Sequence, residues 1–246
     1  MNGLLLFSTI NNAGKPIFRN IFESLAKKSQ VEFNDPIIVI SSGYFSYPYL
    51  CNQFLGNFPA NNVLVQGKPI HLILIGGHDY SNANTSSSWS DQLIKNAIDF
   101  SQSTQYIKKF DIRAHASSAI ANNTGLIFNN WHAKVAYFGN IENNQVEVHA
   151  LIAGSSNMTG NAFSYNTTSQ IECDVILFSN NSAIKLDDDS IRETGAIPFD
   201  AEQNKIDTQI SNLRTQFCNQ TVHINENIIK GNYPGQYTFD DLTSLL

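Results

Sequence analysis

The chain has 246 residues, enough for one large domain with a buried core but short of two full-sized ones. With 42% hydrophobic and only 15% charged residues, it draws its polarity from Asn, Ser, Thr and Gln, a balance that excludes disorder over the whole length. A net charge of −6 offers no general attraction to nucleic acid or to an anionic bilayer, so any phosphate site has to be local.

From the N-terminus, the run Leu4-Leu5-Leu6-Phe7 has no basic leader and is too short for the apolar core of a signal peptide. Ile17, Phe18, Ile21, Phe22 and Leu25 recur at helical spacing, and Pro36-Ile37-Ile38-Val39-Ile40 reads as a buried strand. An aromatic-rich segment, Tyr44 to Phe58, leads to a second such run, His71-Leu72-Ile73-Leu74-Ile75, closed by Gly76-Gly77. This alternation is an α/β rhythm. Asp79 to Ser90 reads as a polar surface loop, Ser90 as the cap of a helix burying Leu93, Ile94, Ala97 and Ile98, and Ile112 as part of a short strand. Three strand-like segments follow, Gly125 to Phe128, Trp131 to Phe138 and Val146 to Ala153, then a turn over Gly154 to Gly160 and a strand over Ile171 to Leu177. Beyond about Ser179 the character changes. Asp187 to Asp189 reads as a solvated acidic loop, and Ile206, Ile210, Leu213 and Phe217 mark an amphipathic helix. No stretch approaches the roughly 20 apolar residues of a membrane span. Cys51, Cys173 and Cys218, odd in number and far apart, suggest neither a disulfide framework nor a zinc knuckle. They read as buried reduced thiols in a reducing, cytoplasmic setting.

In a strand, residues i and i+2 share a face, so His132-Ala133-Lys134 sets an imidazole beside an ammonium. Imidazole serves as nucleophile or proton carrier near neutral pH, and the lysine offsets charge that builds on phosphoryl oxygens. Gly154-Ser155-Ser156-Asn157 then brings hydroxyls, an amide and backbone N–H groups to the mouth of a following helix. By alternation Ser155, rather than Ser156, faces the phosphate with Asn157. Glu172 in the next strand is suited to accept a hydrogen bond from the imidazole and fix its tautomer; Asp174, on the same strand face, is the rival for that role. The plainer alternatives stay open: Glu172 as a solvated strand residue, and Trp131 as core rather than a platform for a base. His78 and Tyr80, like Ser41-Ser42-Gly43-Tyr44, follow strand ends of the kind where α/β proteins build sites, and line either a substrate groove or a plain loop.

The order His132-x-Lys134, Gly154-Ser155-x-Asn157 and then an acidic Glu172 resembles the signature of the phospholipase D superfamily, over roughly Lys15 to Leu177. The resemblance implies an α/β fold with a phospholipase D-like mixed sheet flanked by helices, residues 1–179 forming the catalytic domain. Residues 180–246 are then a C-terminal extension, with its amphipathic helix, packed on the same domain. Where the superfamily has an aspartate five residues after the lysine, this chain has Gly139, followed by Asn140. It therefore resembles the compact single-motif nucleases of the superfamily, metal-independent restriction endonucleases among them, more than the lipid-hydrolysing branch.

The mechanism implied by that resemblance uses two histidines across one phosphate. One attacks to give a phosphohistidine; the other protonates the leaving oxygen and then activates water. This chain has one His-x-Lys, because none of His71, His78, His115, His149 and His223 is followed two positions on by lysine. A two-fold homodimer with one active site per dimer supplies the second copy. Lys134 and Asn157 would hold the nonbridging oxygens, Ser155 or Ser156 would add a donor, and Glu172 would orient His132. No cofactor or metal is implied, and no carboxylate cluster or His/Cys ligand spacing suggests one. The expected substrate is a DNA or RNA phosphodiester, with a separate specificity domain or subunit supplying affinity and no membrane involved. The alternatives are a phospholipase or phosphatidyl transferase, for which an apolar anchor is missing from the pattern, and a non-catalytic nucleic-acid-binding or scaffold protein of the same fold.

Overall fold

Apolar runs become the strands at the middle of a single sheet. The computed structural model describes residues 2–8, 17–43, 68–76, 107–115, 133–156, 172–189, 191 and 196–223. The expected aromatic segment at 44–58, loop at 79–90, helix from Ser90 and strand at 125–128 lie outside them. In chain order the elements are β1 (Gly3–Ser8), α1 (Ile17–Glu32), β2 (Pro36–Ser41), β3 (Ile70–Gly76), β4 (Ile107–His115), β5 (Val135–Glu142) and β6 (Gln145–Gly154), then β7 (Glu172–Phe178), β8 (Ile197–Phe199), α2 (Gln203–Gln220) and β9 (Thr221–His223). Among the described residues the strands form one sheet in the order β8-β1-β7-β6-β5-β2-β3-β4-β9. β2, β3 and β4 run parallel, and every other neighbouring pair is antiparallel, so the fold is α/β with a mixed sheet.

α1 and α2 cover opposite faces. α1 buries Ile17, Phe18, Ile21, Phe22, Leu25 and Ala26, a stripe that recurs every three to four residues, and Phe22 meets Phe138 of β5 edge to face at 5.3 Å. Tyr137, the next residue along β5, points to the other face and clusters with Ile206 and Ile210 of α2. α2 therefore adds to the same core as the central strands, with Ile37, Val39, Ile73 and Ile75 beneath it.

Several boundaries differ from the sequence reading. The strand expected over Trp131 to Phe138 begins at Val135 and continues to Glu142, and the short strand around Ile112 is nine residues long. The N-terminal apolar run, not assigned to any element above, is β1, held between β7 and β8. β5 and β6 are joined by Asn143-Asn144, both with positive φ (52° and 59°), the two-residue hairpin geometry that asparagine tolerates.

The missing aspartate of the motif has a steric explanation. β5 and β6 shift register between Phe138 and Gly139, and a Cβ built on Gly139 would overlap the carbonyl oxygen of Glu147. No side chain fits there. The buried neighbour Asn140 makes the links instead: its Oδ1 accepts the Asp35 N–H at 3.0 Å and its Nδ2 donates to Glu142 Oε1 at 2.6 Å. Asn140→Ala leaves the Asp35 N–H without this acceptor and is expected to destabilise the fold by about 1–2 kcal/mol, read as a lower urea midpoint with an unchanged m-value.

The directions of the strands gather particular ends at one edge. The C-terminal ends of β1, β2, β3, β4 and β6 lie beside the N-terminal ends of β5 and β7, as the pairings Ser8↔Glu172, Ser41↔Val135, Ser41↔Ile75, Gly76↔Ala114 and Gly154↔Asp174 require. No helix among the described residues is long and apolar enough to cross a membrane.

Candidate active site

The motif lysine arrives at this edge just before β5. Although the strand begins at Val135, the backbone ladder reaches further: Gly154 N–H donates to the Lys134 carbonyl at 3.1 Å, and Ser41 Oγ donates to the Ala133 carbonyl at 2.9 Å. On the other side of β6, Ser155 N–H donates to the Cys173 carbonyl at 3.1 Å. Lys134, Ser155 and Ser156 are thus held by three adjacent chains whose spacing the sheet sets.

Gly154 is the residue that lets those chains close up. A Cβ there would lie 2.5 Å from the Cys173 carbonyl oxygen and would overlap Asp174 Oδ1. With only hydrogen at that position, the β6 end presses against β7 and the two following serines meet two carboxylates. Ser156 N–H donates to Asp174 Oδ1 at 3.1 Å and its hydroxyl donates to Oδ2 at 2.6 Å. The Ser155 hydroxyl donates to Glu172 Oε2 and accepts the Cys173 N–H at 2.9 Å.

Each serine hydroxyl has one proton, and each gives it to a carboxylate. The serines, read from the sequence as donors to phosphate, here fix Glu172 and Asp174. Ser156 rather than Ser155 shares a cavity with Lys134; Ser155 is exposed. That cavity, about 10 Å³, is lined by Lys134, Ser156, Asp174 and Ser41 together with Phe18 and Phe22, and has room for no more than about one water. Glu172 and Asp174 alternate with exposed Cys173 along β7, so the buried thiol expected at that position is corrected: Cys173 sits on the opposite face, at the end of the strand.

Burial pushes the Asp174 carboxyl above the usual aspartate range; the negative Glu172 adds to the rise, and the bonds from Ser156 oppose it. A carboxyl whose folded pKa is raised binds more protons in the native than in the unfolded chain, so its contribution to stability is full below the unfolded value of 3.8 and is lost as pH rises through the folded value. Asp174→Asn is therefore expected to gain on the wild type as pH rises from below that value towards neutrality. Urea midpoints of the two proteins across a pH series measure the difference.

His132, Asn157, Trp131 and His78 lie outside the described residues, as does Tyr80. Lys134, Ser155, Ser156, Glu172 and the rival Asp174 are brought to one strand edge. Among the described residues no three His, Cys, Asp or Glu side chains converge as a metal site.

A second polar cluster lies at the other end of β2 and β3 and had no motif to announce it. Asp35 Oδ1 takes Lys108 Nζ at 2.6 Å and His71 Nε2 at 2.9 Å. Burial raises the Asp35 carboxyl, but Lys108 and His71 outweigh it and hold the group below its ordinary range. Parallel pairing of β2, β3 and β4 brings residues 35, 71 and 108 together.

No family model matches the sequence, and no curated protein matches it. Several solved structures are similar at low identity. Polyphosphate kinase from Porphyromonas gingivalis is 10% identical with a TM-score of 0.38, covering 98% of this chain and 27% of that one. A mutant of yeast tyrosyl-DNA phosphodiesterase is 14% identical with a TM-score of 0.36, over 71% of this chain and 47% of that one. Phosphatidylserine synthase from Haemophilus influenzae is 9% identical with a TM-score of 0.36, over 91% and 47%. The chain thus spans between about a quarter and a half of the length of these proteins. Likeness at this level assigns neither activity nor substrate.

Proposed function

We propose that the chain is a metal-independent phosphodiesterase, a nuclease of restriction or defence type, whose active site is shared by two subunits. The observation that supports it is the meeting of Lys134, Ser156 and Asp174 at one cavity, with Glu172 anchored beside them and His132 two residues from Lys134 in sequence. In this reading His132 of one subunit attacks phosphorus while the bond to the leaving oxygen breaks, and His132 of the second subunit protonates that oxygen. The same second histidine then takes a proton from water, which attacks phosphorus and releases the first. Lys134 and Asn157 hold the nonbridging oxygens, and Glu172 orients His132. Ser155 and Ser156 keep the two carboxylates in place.

The test is hydrolysis of bis(p-nitrophenyl) phosphate and of plasmid DNA in EDTA, with the oligomeric state read by light scattering. Turnover in chelator by a dimer, with an acid-labile, alkali-stable phosphoryl group trapped on the protein, is the expected result. A strict metal requirement, or full activity from a monomer, overturns the mechanism.

A further inference from the structure

Ser41 closes β2 and is the only polar residue in that strand. It is 3% exposed, so its hydroxyl has to find a partner inside the protein. That partner is the Ala133 carbonyl, to which Ser41 Oγ donates at 2.9 Å. The donor stands on rigid ground. Ser41 pairs with Ile75 of β3 on one side and Val135 of β5 on the other, and the next residue, Ser42, donates its N–H to the Ile75 carbonyl at 3.0 Å.

The Ala133 carbonyl belongs to the peptide group on the N-terminal side of Lys134. The Lys134 carbonyl belongs to the peptide group on its C-terminal side, and it accepts the Gly154 N–H at 3.1 Å. Peptide groups are planar, so holding both leaves φ and ψ of Lys134 little freedom and fixes the direction of its Cα–Cβ bond. Strand pairing does not achieve this, because the ladders to β2 and β6 begin only at Val135. The hold from Gly154 is made by backbone. The hold from Ser41 is made by a side chain and disappears with a single oxygen. Ala133 packs against the core while Lys134 is half-buried, so a turn of the peptide between them re-aims the lysine.

We infer that Ser41 is a positioning residue for Lys134: its hydroxyl holds the preceding peptide group so that the ammonium meets the phosphoryl oxygens in one orientation. This rests on the phosphodiesterase reading above, and gives Ser41 no contact with substrate.

Ser41→Ala removes the hydrogen bond and little else. With bis(p-nitrophenyl) phosphate in EDTA it is expected to lower kcat by about ten-fold while KM changes by less than about two-fold, since a misplaced cation weakens binding of the transition state more than of the substrate. In a Lys134→Met background the same substitution is expected to cost less than about two-fold, because the group it positions is gone. Isotope labelling of alanine carbonyls and lysine amides selects two peptide groups, Ala26-Lys27 and Ala133-Lys134, for magnetic resonance. Ser41→Ala is expected to move the second signal and leave the first, which reports a folded chain that has lost this bond. An unmoved Ala133-Lys134 signal overturns the hold itself. Wild-type turnover that survives Ser41→Ala within about two-fold, or a full ten-fold loss in the Lys134→Met background as well, overturns the positioning and leaves the phosphodiesterase reading in place. Absence of metal-independent turnover by the wild type overturns that reading, and the positioning with it.

Discussion

His132→Ala is expected to lower the rate of bis(p-nitrophenyl) phosphate hydrolysis by about 10⁴-fold or more, because it removes the nucleophile and the proton carrier of a shared site together. Lys134→Met is expected to cost less, about 10²–10³-fold, since it withdraws one preorganised cation from the phosphoryl oxygens and leaves the attacking group in place. Methionine keeps the length of the half-buried lysine stem, so melting curves of the variant and wild type should nearly coincide. Mixing wild type with His132→Ala gives the decisive measurement. If each site takes one histidine from either subunit, heterodimers lack the second histidine and are inactive, so equimolar exchange leaves about a quarter of the dimers active. Activity that stays at about half of the wild-type value on exchange means that one chain completes a site alone and sinks the shared arrangement.

Gly154→Ala is expected to be the most damaging single-methyl change at this edge. The added carbon meets the Cys173 carbonyl at 2.5 Å and overlaps Asp174 Oδ1, and the Cys173 contact is backbone that cannot rotate away. β6 and β7 must separate, which breaks the Ser155 and Ser156 bonds to Glu172 and Asp174 at the same time. Overpacking of this kind costs about 2–3 kcal/mol, a fall in melting temperature of roughly 4–12 °C for a chain of this size. Calorimetry reads the cost. A change under about 1 °C would show that the two strands are not held at this spacing in solution.

What was legible in the sequence depended on where a residue sits. Pro36–Ile40 and His71–Ile75 could be read because interior strands covered by helices on both faces are continuously apolar, and α1 because its buried stripe repeats over four turns. β8 and β9 could not, since three residues carry no period and their partners are remote in sequence. At the candidate site, the described residues that gather at one edge, Lys134, Ser155, Ser156 and Glu172, were legible from the order His-x-Lys, Gly-Ser-x-Asn and Glu. Their pairing was not. Alternation favours Ser155 over Ser156 for the phosphate, but beyond Gly154 the chain leaves the strand, and the approach of β7 decides which serine is buried. The Asp35, His71 and Lys108 cluster was illegible for another reason: parallel register places those residues together, and no short-range spacing encodes register.

The three-residue strands β8 and β9, which end the sheet among the described residues, bear on how copies of the chain can associate. A long bare margin templates the addition of further strands and leads to open-ended stacking. At the β8 margin few amides are left unpaired, and Pro198 removes one more donor, whereas β9 covers only Arg113 to His115 of the nine-residue β4 among the described residues. Sideways growth of the sheet is thereby discouraged at the β8 margin, and a closed pair of subunits of the kind proposed would be built through the faces or the strand-end rim, where connections can vary in length without disturbing the hydrogen-bonded lattice beneath them.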